Sequence, residues 1–203
     1  LLREEGEVKK RLLAAQTNQA LFEQLNRDME RRITSLVNLI EALPETENPG
    51  NLTAYITLCL CHIKRRCNLF FLARQGELLP GNELGMYLDE LAELGCYGGL
   101  KALIRCGQIG ALEIRSAALC YDFAFETISW TLREEASPLM GYLEKEGSQL
   151  AFRFLPGGDS RRWKFSRELT DSVAALGGQI VWKDLDDAFG ICLSIPLGGE
   201  SCG

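Results

Sequence analysis

The sequence predicts an α+β chain: an N-terminal antiparallel helical hairpin, then a domain whose helices pack on one face of a sheet. Three observations carry this. Apolar residues recur at spacings of three and four along residues 22–43 and again along 56–70, with Pro44 and Asn48-Pro49-Gly50 between the two runs. Beyond residue 82 this periodicity gives way to shorter helical and strand-like runs divided by glycines. The chain then closes on a helical run ending Ala174-Ala175-Leu176-Gly177-Gly178, followed by two strand-like runs that stop at Pro196.

Taken in order, residues 4–44 read as one long helix, with Phe22, Leu25, Met29, Ile33, Leu36, Ile40 and Leu43 forming a seam of the bundle kind. Charged Arg27, Asp28, Glu30, Arg31 and Arg32 fill its other faces. A second helix over 52–74 carries Ile56, Leu60, Ile63, Cys67 and Phe70 at the same spacing. A single hairpin leaves each seam with one partner, so two hairpins from two copies closing a four-helix bundle is the simplest way to bury them. Residues 75–81, with Pro80, read as a linker. Residues 1–76 thus form a helical domain and 80–203 a second one. Asn82 starts a helix that runs to about Leu94 and stops at Gly95. Leu100 to Arg105 reads as a strand, Gln108 to Gly110 as a turn, and Ala111 to Ala136 as a helix barred from continuing by Pro138. Strands at Tyr142 to Glu144 and Gln149 to Leu155 flank a turn at Gly147. After a loop at Gly157-Gly158-Asp159-Ser160, Ser166 to Leu176 is a helix. Strands over Gln179 to Lys183 and Gly190 to Ile195 pair around a turn at Asp184 to Asp187.

Composition narrows the function classes. The 203 residues are 46% apolar and 25% charged, as in globular proteins. A net charge of −6 argues against wrapping nucleic acid, which demands Lys and Arg for its phosphates. No apolar run approaches the roughly 18–20 residues of a spanning helix. The chain opens Leu1-Leu2-Arg3 rather than with Met, which reads as a piece of a longer protein, attached to a membrane only through a region outside this chain. The eight cysteines fit reduced thiols of a cytoplasmic protein. The cluster Cys59-x-Cys61-His62-x4-Cys67 raises the question of zinc. At about 100° per residue Cys59 and Cys61 point about 200° apart on a helix, so they do not share one tetrahedral ion.

The order of hairpin, linker and α+β domain, the closing Leu176-Gly177-Gly178 with its terminal strands, and the run Leu119-Cys120-Tyr121-Asp122-Phe123-Ala124-Phe125-Glu126 together resemble the cytoplasmic core of a sensor histidine kinase. The resemblance implies that the hairpin is a dimerisation and phosphotransfer domain. It also implies that residues after 80 form the Bergerat, or GHKL, α/β sandwich that binds ATP in that family and in gyrase and MutL. The family's binding motifs are degenerate in this chain. Its helix motif pairs a Glu, near the γ-phosphate or Mg²⁺, with an Asn four residues later that holds the metal. Glu126 matches the first, but Trp130 stands at the second, and Glu134 follows where a His or Lys is common. An indole offers an N–H and no oxygen for Mg²⁺. Where the family's adenine-binding Asp belongs stands Leu155 or Pro156, with Asp159 too late in the loop. Ser160-Arg161-Arg162-Trp163-Lys164-Phe165 replaces the glycine-rich lid. Asp28 falls roughly where the phosphoacceptor His would be. The lone histidine, His62, lies on the second helix beside Lys64-Arg65-Arg66, without an acidic neighbour in sequence.

The sequence therefore leads to a signal-transduction module of a two-component system that keeps the kinase architecture without its chemistry, with no cofactor. It acts as a homodimer through the hairpin and possesses a surface for a response regulator or a partner kinase. Glu126 and His62 are the candidate catalytic residues. His62 would serve an alternative phosphotransferase. A divergent histidine kinase phosphorylating a response regulator would alone require ATP and Mg²⁺.

Overall fold

A computed structural model describes residues 19, 23, 27, 29–46, 48–134, 138–157, 163–185 and 188–197. The candidates Asp28, Asp159, Arg161 and Arg162, and the seam residues Phe22 and Leu25, lie outside the described residues. Two compact units divide the chain, Leu1–Ala42 and Leu43–Gly203.

In the first unit, residues 29–42 form helix α1. Of its expected seam, Leu36 is buried, whereas Ile33 and Ile40 are about half exposed. Val37 joins them to make an exposed apolar stripe along one face.

The second unit begins with a 3₁₀ turn at Leu43–Glu45 and helix α2 at Pro49–Gln75. Proline at the first helical position sacrifices no hydrogen bond, and Asn48 caps the end by accepting from the Asn51 N–H at 3.2 Å. The helix therefore starts three residues before its expected onset. Ala54, Leu58, Cys61, His62 and Leu69 are buried on one of its faces. The expected seam of Ile56, Leu60, Ile63, Cys67 and Phe70 points roughly 170° away, counting about 100° per residue. Helix α2 thus has two apolar faces, and the sequence reading found one of them.

The segment expected as a linker lies inside this unit. Leu78–Pro80 is strand β1, paired antiparallel with β3 at Ala111–Glu113. Between them come α3 (Gly81–Tyr97) and β2 (Ala102–Cys106). Gly95 does not stop α3: a Cβ there would lie 3.1 Å from Ile128 and 3.2 Å from Leu100, so its missing side chain allows close packing. The long central helix α4 (Ile114–Arg133) starts after β3, whose three residues had been assigned to it. It is followed by β4 (Leu139–Glu146), β5 (Gln149–Pro156), α5 (Arg167–Ala175), β6 (Gln179–Leu185) and β7 (Ala188–Pro196).

Five strands form a mixed sheet in the order β2-β4-β5-β7-β6. Only β2 and β4 are parallel, joined by the crossover through α4, while the other pairs are antiparallel. Leu139 and Leu143 on β4, and Phe152 and Phe154 on β5, join the buried core shared with α4. Leu103, Met140, Tyr142 and Leu155 alternate with inward residues onto the opposite face. At the closing turn Gly177 takes φ +67°, and a Cβ on Gly178 would meet the Ser194 carbonyl oxygen at 2.7 Å. That approach brings α5 against the end of β7. The α+β class and the helices-on-one-face arrangement are those the sequence predicted.

Candidate functional site

Helix α4 organises the region because Asp122, Glu126 and Trp130 recur every four residues along one stripe. Each meets a different part of the chain.

At Asp122, α4 receives α2. The His62 ring is buried to 1% exposure. It stacks on Phe125 at 3.9 Å between centroids and lies parallel to Tyr121 at 5.5 Å. Its Nε2 is 2.8 Å from Asp122 Oδ1. A carboxylate accepts, so the shared proton sits on Nε2. Arg66 Nε approaches the same oxygen at 3.3 Å. Sequence reasoning missed Asp122 because it is sixty positions from His62; the available signal was a carboxylate flanked by Tyr121 and Phe123 in a helical run rich in apolar residues.

Further contacts extend this joint. Cys61 Sγ lies 3.7 Å from the Tyr121 hydroxyl, and burial pushes both groups' pKa values up. Arg65 donates to Glu90 at 2.8 Å, with its guanidinium 4.2 Å above the Tyr87 ring. Burial, reinforced by the hydrogen bond from its hydroxyl to Glu83, pushes the Tyr87 pKa up to about 12. Of the basic run beside His62, Arg65 and Arg66 are thus engaged in ion pairs across to α3 and α4.

At Glu126, α4 holds α5. The Ser166 N–H donates to Glu126 Oε2 at 2.8 Å, and the Ser166 hydroxyl donates to Oε1. Ser166 in turn caps α5 by accepting from the Leu169 N–H at 3.1 Å. Glu126, a catalytic candidate in the sequence, is therefore a tether for the neighbouring helix.

At Trp130 the surroundings are aromatic. Trp130 and Trp163 are both buried, and their rings stack at 5.1 Å with 16° between planes. Phe165 packs on Trp163 at 4.1 Å and on Phe123 at 5.1 Å. Trp163 was the overlooked partner: a tryptophan inside the basic run Arg161-Arg162-Trp163-Lys164 is its only trace in sequence.

The remaining candidates do not converge on this stripe. Pro156 is buried, and Leu155 at 38% exposure faces outward from the sheet. Residues 59–67 all lie within the unbroken α2, and the described residues contain no His/Cys/Asp/Glu group arranged for a metal. Among those residues no helix is long and apolar enough to cross a membrane. The Mg–ATP arrangement implied by the resemblance does not fit these side chains: position 130 supplies no oxygen, and both Glu126 oxygens accept from Ser166.

No family model matches the sequence, and no curated protein matches it. Among solved structures, the chain is similar to the histidine kinase domain of the Erythrobacter litoralis EL346 blue-light activated histidine kinase. The TM-score is 0.50 at 13% identity, over 83% of this chain and 94% of that one. It also matches the longer EL346 structure at the same TM-score and identity, over 86% of this chain but 63% of that one. The chain has the fold of a histidine kinase core.

Proposed function

We propose that this chain is a cytoplasmic signal-transduction module on a histidine-kinase scaffold, working without nucleotide or metal. It acts by dimerisation through its helical part and by conformational coupling to a response regulator or a partner kinase. The observation that carries the reading is the Trp130–Trp163 stack: both indoles are buried, and position 130 is the one where the resemblance implies an Mg²⁺-holding carboxamide. The Glu126–Ser166 bonds add to it by committing the remaining family carboxylate to α5. The packing of α2 on α4 is the element such coupling would bias.

A calorimetric titration of the intact chain with Mg-ATP tests this: no heat of binding at millimolar nucleotide is expected, and micromolar binding would overturn it. Dimerisation has its own test in Ile33→Asp, which puts a charge on the exposed stripe of α1. Light scattering should show the dimer lost while monomer stability shifts by less than about 0.5 kcal/mol.

One observation favours a second reading, a phosphotransferase using His62. The acidic neighbour that His62 lacks in sequence is supplied across the fold by Asp122. Its Nε2 is buried and engaged, so phosphotransfer would require α2 to lift from α4. Loss of phosphoryl transfer in His62→Gln would establish this reading over the first.

A further inference from the structure

The sheet's outer face carries side chains that neither the fold nor the proposed function uses. Cross-strand register aligns Leu103 with Met140 and Leu155, and Gly190 with Lys183, beside a continuous row of Arg105, Tyr142, Arg153, Cys192 and Val181. Leu103 and Met140 are 52% and 53% exposed, and Tyr142 and Leu155 beside them are also exposed. Scattered exposed apolar side chains are ordinary, but a contiguous set marks a contact surface. Gly190 projects no side chain between Leu155 and Lys183, and the rows border a groove of about 510 Å³.

Charge says what fits there. Arg153, in the middle, is held by Glu144 and Glu146, two carboxylates to one cation, so it offers no free positive charge there. At the two edges Arg105 and Lys183 are exposed and, among the described residues, meet no carboxylate. The face is thus apolar at its centre and cationic at both ends, on a chain whose net charge is −6. Four inter-strand spacings of about 4.8 Å give a length of roughly 19 Å, the reach of about six extended residues. Its area is on the order of a few hundred Å², well under the roughly 800 Å² per partner of a stable globular interface. That favours a segment over a second copy of this chain. Two isolated cations are also too few for an anionic membrane, which recruits clusters of four to eight.

We propose that this face docks an acidic, apolar-bearing peptide segment of a partner protein, its Leu- or Phe-like side chains over Met140 and Leu155 and its carboxylates on Arg105 and Lys183. The surface is separate from the α4 stripe, so it stands or falls independently of nucleotide binding.

The test is fluorescence anisotropy of the whole chain against two pools of labelled peptides of about ten residues, long enough to cross the face. Both pools share Leu and Phe positions; one is flanked by Glu and the other by Lys. The acidic pool should bind, at least tenfold more weakly to Arg105→Glu/Lys183→Glu, and the Lys pool should gain on that variant. Met140→Ser should weaken the acidic pool without altering the circular dichroism spectrum, since its side chain is exposed. Equal binding of the two pools, indifference to the double charge reversal, or no binding at about 1 mM, where affinity is only about 4 kcal/mol, would overturn the proposal. So would phosphatidylserine vesicles cosedimenting with the chain through Arg105 and Lys183, or a dimer on light scattering that Met140→Ser dissolves.

Discussion

Helix α4 has a polar end and an aromatic end little more than two turns apart, and they do different work. Around Asp122, a buried imidazole, a carboxylate and an arginine lock α2 in one orientation, because a charge-assisted bond has a preferred direction. Around Trp130, two indoles and Phe165 fill space, because burying large rings removes much apolar area from water. In a chain that resembles kinases, the polar chemistry would be expected at the second location. Here it has the role of a joint at the first, and the second has become core.

The contrast breaks most visibly at its aromatic end. Trp130→Ala removes a buried ring and should cost about 3–5 kcal/mol in urea denaturation. A loss below about 1 kcal/mol would mean that the stack is a surface contact rather than a filled core. Asp122→Ala attacks the polar end. Depriving the buried His62 Nε2 of its carboxylate should cost about 1–3 kcal/mol. Amide exchange should accelerate in α2 around His62 while the β4–β5 ladder keeps its protection. Uniform acceleration would show that α2 and the sheet open as one unit. The smallest effect belongs to Glu126→Ala, midway between the two ends, at about 1 kcal/mol and confined to exchange at the first turn of α5. If that variant instead gains micromolar Mg-ATP affinity, Glu126 was holding a nucleotide site shut, and the noncatalytic reading falls.

Much of the fold was legible locally. Asn48-Pro49-Gly50 marked the break between the two helical runs, Gly147 marked the turn between β4 and β5, and Gly177-Gly178 marked the turn into β6. What failed locally shares one cause. Pro80 read as a linker, but it ends a short strand whose partner is thirty residues away. Gly95 read as a stop, but the approach of Ile128 and Leu100 requires it. In α2 the 3-4 seam obscured a second apolar face, because a helix apolar on two sides has little contrast between its faces. The candidate site was half legible: Glu126, Trp130 and His62 were named, while their partners Ser166, Trp163 and Asp122 were not.

By itself, the sequence determined the α+β class, the order of the helices and of the five strands of the main sheet, and the identity of the side chain at each family motif position. Those follow from periodicity, turn chemistry and residue type, which act over a few neighbouring residues. Only the tertiary structure decided what those side chains do. Asp122 pairs with a histidine sixty residues away, Glu126 holds the capping serine of a helix forty residues away, and Trp130 stacks on a tryptophan beyond two intervening strands. Burial and hydrogen bonding are satisfied between segments, and no local pattern specifies which segments meet.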